Sequence, residues 1–221
     1  MIRHLHVPLL EPEDVRRHLA KETHWKQGYS AKALADSWYR ANGGFPPAVK
    51  AVLASVADYE AAELIDGFFE REVELGTAGR NSQTDLMILT RLGNQIGILA
   101  VEGKGEESFG PFVDEWKDSS GKQRRLDGLC KTLRLDELKA GSLRYQLLHR
   151  TASAIYEAQR YCCRHAMMLV HSFSSKRSGF EDFKAFSQSM GIQVAQPGQC
   201  SSSKICENVS VRLAWVADRL A

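Results

Sequence analysis

Residues 84–104 read TDLMILTRL-GN-QIGILAVE-GK, and their reading decides the fold. Two runs rich in β-branched and aliphatic residues flank Gly93-Asn94, a dipeptide suited to a two-residue hairpin turn. Counting outward from that turn, Leu92 faces Gln95, Leu89 faces Ile98, Met87 faces Ala100 and Asp85 faces Glu102. A symmetric four-residue loop gives the same pairing. Leu86, Ile88, Leu99 and Val101 fill the other side, because successive strand residues point to opposite faces. Lys104 lies two residues beyond Glu102 and returns to the Asp85 face if the strand continues.

This register carries a chemical consequence. Directly opposed side chains have Cβ atoms about 5 Å apart, and like charges so placed repel. A carboxylate pair at a strand end therefore calls for a cation. Oxygen-only ligands favour Mg²⁺, Mn²⁺ or Ca²⁺ over zinc. A neighbouring lysine can orient or activate the attacking water, and the set suits phosphodiester hydrolysis, where charge builds on phosphate oxygens. The plainer alternative is that Asp85 ends the strand and Glu102 and Lys104 form a solvated pair. A β-bulge would also break the alignment.

Working outward, residues 31–40 (AKALADSWYR) place Ala31, Leu34 and Trp38 on one helical face. Gly43-Gly44 and Pro46-Pro47 end that helix and start another through Val49, Val52, Leu53 and Val56. Residues 58–69 (DYEAAELIDGFF) read as a further helix, with Ala61, Leu64 and Phe68 on one face. Residues 71–75 form a short strand and 77–82 a loop, and a further loop spans 103–111. Residues 112–138 mix charge with Trp116 and a basic cluster of Lys122, Arg124 and Arg125. Residues 143–163 are a long helix whose stripe is Leu147, Leu148, Ala152, Ile155, Ala158 and Cys162. Residues 165–173 are a buried strand, 180–190 a helix with Phe183 and Phe186 inside, and 209–216 a last strand. The pattern is mixed α/β. It divides into an N-terminal helical region, 1–57, packed on a core domain, 58–221.

The 221 residues suit one sizeable domain, or one domain with a helical extension. No apolar run is long enough to span a bilayer, and residues 1–18 turn charged before a signal-type apolar stretch can develop. A cytoplasmic protein without a membrane partner is expected. Five cysteines cannot pair completely within one chain, which fits that compartment. Adjacent Cys162 and Cys163 read as buried or half-buried thiols, and Cys200 and Cys206 are spaced too widely for a zinc knuckle. A net charge of +2 neither demands nor excludes a nucleic-acid partner, since phosphate binding depends on local patches.

The run Ser82-Gln83-Thr84-Asp85-Leu86, the apolar strand, and Val101-Glu102-Gly103-Lys104 together resemble the PD-(D/E)xK phosphodiesterase superfamily, in one of its bacterial branches. The likeness extends through the next helix and the strand ending His171-Ser172-Phe173, about the middle half of the chain. The resemblance implies a restriction-endonuclease-like αβββαβ core with an N-terminal helical extension. It makes Asp85 and Glu102 metal ligands, Lys104 the third motif residue, and the Gly103 carbonyl a further ligand. Such families often carry another carboxylate on the first core helix. Glu63, on the helix read over 58–69, is the candidate and Glu72 the second. Two departures stand out: no proline precedes Asp85, and Arg150 occupies the tyrosine position of a Q-x-x-x-Y helix motif. Gln146, His149 and Arg150 either face a phosphate or form a solvated helix face.

Other constellations are weaker. His149, His165 and His171 lack H-x-x-x-H spacing, Ser172 and Ser174 lack a nucleophile elbow, and Gly103-Lys104-Gly105 lacks the phosphate-loop pattern. Trp25, Trp38, Trp116 and Trp215 are dispersed, as core or interface residues are. The expectation is a Mg²⁺- or Mn²⁺-dependent nuclease acting on nucleic acid, DNA ahead of RNA, in defence, repair or mobile-element biology. A homodimer is among the assemblies the sequence allows. The rival is a nuclease-fold protein without turnover that serves as a nucleic-acid-binding or scaffold module.

Overall fold

In the computed structural model, residues 8–19, 25–26, 29–77 and 79–218 are described; the reading of residues 1–7 lies outside them. Three strands, β1 (Ala62–Val73), β2 (Ser82–Leu92) and β3 (Gln95–Lys104), form an antiparallel meander. β3 then runs parallel to β4 (His165–Ser172), and β4 parallel to β6 (Val209–Ala217). The short β5 (Lys204–Cys206) closes the far edge, giving the order β1-β2-β3-β4-β6-β5. The hairpin has the register counted from the turn: Leu92 pairs with Gln95, Leu89 with Ile98, and Met87 with Ala100. Gly93 supplies the left-handed residue of the turn at φ +62°, a conformation costing other residues about 1–2 kcal/mol.

Helices cover both faces. α1 (Ser30–Arg40) and α2 (Pro47–Leu53) cover one. Leu34, Trp38, Val49, Val52 and Leu53 pack there on Leu86, Ile88, Leu99, Val101, Met167 and Leu169. The chain between the parallel strands β3 and β4 must cross over the sheet. It does so through α3 (Val113–Trp116), α4 (Ser120–Leu133), α5 (Glu137–Ala140) and α6 (Tyr145–Arg160). The stripe of α6, with α4 and α7 (Phe180–Ser189), buries Met87, Ile98, Ala100, Met168 and Val170. On β3 the even residues thus face α6 and the odd ones α1, the period-two pattern of a sheet covered on both faces. Strand and helix ends otherwise fall within two residues of the sequence reading, except the C-terminal ends of α2 and α6, each of which stops three residues earlier.

One element differs. Residues 58–69 are not helical: a 3₁₀ turn at Ala57–Tyr59 leads into β1, which also absorbs most of the short strand read at 71–75. The register shifts at Ile65, between Leu64 and Asp66. That bulge moves the alternation by one residue, so Leu64 packs on the α1 side and Phe68 on the α6 side. Their four-residue spacing imitates a helix, yet they lie on opposite faces. Gly67 inside the segment, unfavourable in a helix interior, was the contrary signal. Residues 112–138, left without elements in the sequence reading, carry α3, α4 and the start of α5. Cys163 is buried, but Cys162, at φ +55° beyond the end of α6, is turned outward and exposed. No helix among the described residues is long and apolar enough to cross a membrane.

Candidate active site

Asp85 lies one residue beyond the last ladder pair of the hairpin, Leu86 with Val101, and so stands opposite Glu102. There the Gly103 N–H donates to Asp85 Oδ2 at 2.9 Å, taking the place of a ladder bond. β3 continues through Lys104, which keeps its side chain on the face of Glu102: Lys104 Nζ is 3.1 Å from Glu102 Oε1. The three residues read from the hairpin are therefore together.

α6 completes the set. Gln146, His149 and Arg150 are spaced i, i+3, i+4 and share one helical face, here directed at β2 and β3. Gln146 Nε2 donates to Glu102 Oε1 at 2.6 Å, and its Oε1 accepts from Lys104 at 3.0 Å. The Arg150 guanidinium spans the carboxylates, with Nε 2.5 Å from Glu102 Oε2 and Nη2 3.5 Å from Asp85 Oδ1. Its Nη1 donates to Ser82 Oγ at 3.2 Å, and Ser82 Oγ lies 2.8 Å from His149 Nδ1. A guanidinium only donates, so the Ser82 hydroxyl hydrogen is available to His149.

The further carboxylate is Glu70, not Glu63. Glu63 pairs with Arg91 in the ladder, six residues along β2 from Asp85, which is about 20 Å at strand rise. Its side chain is exposed beside Arg91 at 3.8 Å. Glu72 is exposed as well, accepting from Asn81 Nδ2 at 3.2 Å. Glu70 falls opposite Asp85 by the register of its neighbours, Phe69 with Leu86 and Arg71 with Thr84. It adopts φ +52°. This left-handed residue lets Glu70 face the cleft while Arg71, the next residue, also reaches the α6 side and pairs with buried Glu157 at 2.8 Å. Simple strand alternation would set Glu70 and Arg71 on opposite faces, so position 70 carries no sequence signal that points it into the cleft.

The charges are unequal. Burial opposes the ionisation of Glu102, but the charges of Arg150 and Lys104 and their hydrogen bonds outweigh it and hold its pKa low. Asp85 is pushed up to about 7 by burial and by the Glu102 charge, which outweigh its longer contact with Arg150, the charge of Lys104 and the Gly103 N–H bond. Glu70 is raised further, to about 9, by burial and by Asp85. His149 is held well below 6.5 by burial and by the positive charges of Arg150, Arg125 and Lys104, so its ring is neutral at physiological pH.

These groups line a cleft of about 900 Å³, whose walls also carry Arg80, Lys122 and Arg125 beside Trp116 and Tyr145. The Trp116 and Tyr145 rings stack at 3.6 Å. Two members of the basic cluster read in the sequence, Lys122 and Arg125, thus border the same cavity. Among the described residues no three His, Cys, Asp or Glu side chains are gathered closely enough to hold a metal. The donor chemistry nevertheless fits a hard divalent cation, since Glu70, Asp85 and Glu102 offer only carboxylate oxygens. The cation that meets Asp85 and Glu102 in this structure is Arg150.

No curated protein and no solved structure matches the chain. One family model, described as a domain of unknown function (DUF6946), matches residues 8–220. Matched over nearly its whole length, the chain belongs to the DUF6946 family.

Proposed function

We propose that the protein is a metal-dependent nuclease that hydrolyses phosphodiester bonds, in DNA ahead of RNA, with Mg²⁺ or Mn²⁺ as cofactor. The observation that carries this reading is the opposition of Asp85 and Glu102 across the hairpin with Lys104 on the same face. The chain order supports it: with α2 and α3–α5 as additions, and α1 in place of the core helix read over 58–69, α1-β1-β2-β3-α6-β4 follows the αβββαβ succession that the resemblance implies. Asp85 and Glu102 would hold the cation, with Glu70 within reach of the same cleft and the Gly103 carbonyl the ligand the resemblance adds. A bound divalent cation supplies Lewis-acid stabilisation of the charge that builds on the phosphoryl oxygens. Lys104, fixed by Glu102 and Gln146, is positioned to orient the attacking water. Neutral His149 and Ser82 provide a hydrogen-bonded wall beside it. A cytoplasmic setting accords with this role.

A second reading is favoured by one specific observation. Arg150 already neutralises Asp85 and Glu102, as it would in a nucleic-acid-binding or scaffold module that keeps the fold without turnover. Cleavage assays on single- and double-stranded DNA and RNA, in Mg²⁺ or Mn²⁺ against EDTA, separate the two. The nuclease reading expects cleavage that EDTA abolishes and that Lys104→Ala reduces by about 10²-fold or more, the usual loss for a positioned catalytic group. Metal-dependent cleavage left intact by Lys104→Ala would remove that residue from the mechanism. No cleavage of any substrate would favour the binding module.

A further inference from the structure

We infer that Arg150 is a displaceable resident cation of the carboxylate site and the receptor for the substrate phosphate, so that metal and phosphodiester bind cooperatively. The inference rests on the nuclease reading above. The Arg150 guanidinium bridges three acceptors from three positions of the hairpin: Glu102 at 2.5 Å, Ser82 at 3.2 Å and Asp85 at 3.5 Å. Its side chain is only 10% exposed, so its charge is committed to these partners rather than to water. A divalent cation held by Asp85 and Glu102 would share their oxygens with a like charge at contact distance, an arrangement that Coulomb repulsion opposes. Arg150 must therefore release at least Asp85 when a metal enters.

A released, largely buried guanidinium needs another anion. The planar fork of arginine matches the paired oxygens of a phosphodiester, and the cleft beside it has room for one. Arg125 and Lys122 on the same walls add positive charge around that position. Gln146 holds Glu102 and Lys104 through both ends of its amide, so these two keep a partner while Arg150 moves. Phosphate then relieves the cost of metal entry and metal relieves the cost of freeing Arg150, a coupling that is reciprocal by necessity. In the absence of substrate the arginine keeps the metal site weak.

The test is calorimetric titration of Mn²⁺ into the full chain, with and without dimethyl phosphate, an uncleavable phosphodiester anion, at matched ionic strength. Wild type is expected to bind Mn²⁺ about tenfold more tightly when dimethyl phosphate is present, a typical coupling. Arg150→Gln is expected to bind Mn²⁺ about tenfold more tightly than wild type without it, and to gain nothing from it. Arg150→Lys retains a cation for the buried carboxylates should the glutamine variant unfold. A single ammonium cannot bridge three acceptors, so it too should bind Mn²⁺ more tightly than wild type and show a weaker response to dimethyl phosphate. Equal Mn²⁺ affinity in wild type and folded variants, with the same response to dimethyl phosphate, would overturn the inference and leave the nuclease reading standing. Absence of Mn²⁺ binding to wild type and to folded variants alike would overturn the metal site itself, and the inference with it.

Discussion

Glu70 holds a backbone conformation that a non-glycine residue adopts at a cost of about 1–2 kcal/mol, and it does so with a half-buried side chain among other acids. Neither property favours the fold. Backbone strain, and a carboxyl whose ionisation its surroundings oppose, gather where a site is built for something else. The consequence can be measured. Glu70→Gly should be more stable than Glu70→Ala by about 1 kcal/mol in denaturant unfolding, the reverse of the usual strand preference, because only glycine relieves the φ of +52°. Equal stability of the two, or a more stable alanine variant, would show that no strain is stored at position 70. Asp85, Glu102 and Lys104 were legible because a two-residue turn sets the parity of everything that follows it. Glu70 was not, because parity on β1 is interrupted twice, by the bulge at Ile65 and by Glu70 itself.

At the scale of elements, β2 and β3 show their strand character as short apolar runs on either side of a Gly-Asn turn, and α6 shows its helix character in its apolar stripe. β1 hides it, since its bulge spaces Leu64 and Phe68 as a helix would. A tie between α1, β4 and the residue after β6 was also invisible, since it joins positions far apart in the chain. The Trp38 indole N–H donates to His171 Nδ1 at 3.2 Å, and His171 Nε2 lies 3.1 Å from Asp218 Oδ2. An indole nitrogen only donates, so Nδ1 must accept, and the neutral ring carries its hydrogen on Nε2 and donates it to Asp218. Trp38→Phe should cost about 1–3 kcal/mol, the usual penalty for leaving a buried polar atom unsatisfied. Burial pushes the His171 pKa below 6.5, though Asp218 opposes the shift. Below 6.5 the unfolded chain therefore binds more protons than the folded one. The stabilisation from the neutral ring is complete above that value and is lost as pH falls toward the depressed folded pKa. Denaturation midpoints at about pH 7.5 and about pH 5.5 should thus fall further in wild type than in His171→Asn. His149 acts with the same sign, while the raised Asp85 and Glu70 lose stability as pH rises. All three are common to both proteins and cancel in the comparison. A wild-type pH response no steeper than that of His171→Asn would contradict the assignment.

Across the whole molecule, the site is made where the two halves of the sheet meet. The antiparallel meander contributes Glu70, Ser82, Asp85, Glu102 and Lys104, and the crossover to the parallel half delivers Gln146, His149 and Arg150. Apolar packing on both faces fixes these parts: Leu147, Leu148 and Ile155 press α6 onto one side of the hairpin, while Leu34 and Trp38 press α1 onto the other. Local pattern made the hairpin and α6 readable separately. Their meeting, with Arg150 between Asp85 and Glu102, depends on the crossover packing and was not encoded in any one stretch. The metal-site assignment is tested most directly by anomalous difference maps from crystals soaked in Mn²⁺ together with dimethyl phosphate. The prediction is a peak bonded to the carboxylate oxygens of Asp85 and Glu102, with the Arg150 guanidinium withdrawn from Asp85. A map with no peak there, and with Arg150 still bridging both carboxylates, would contradict it.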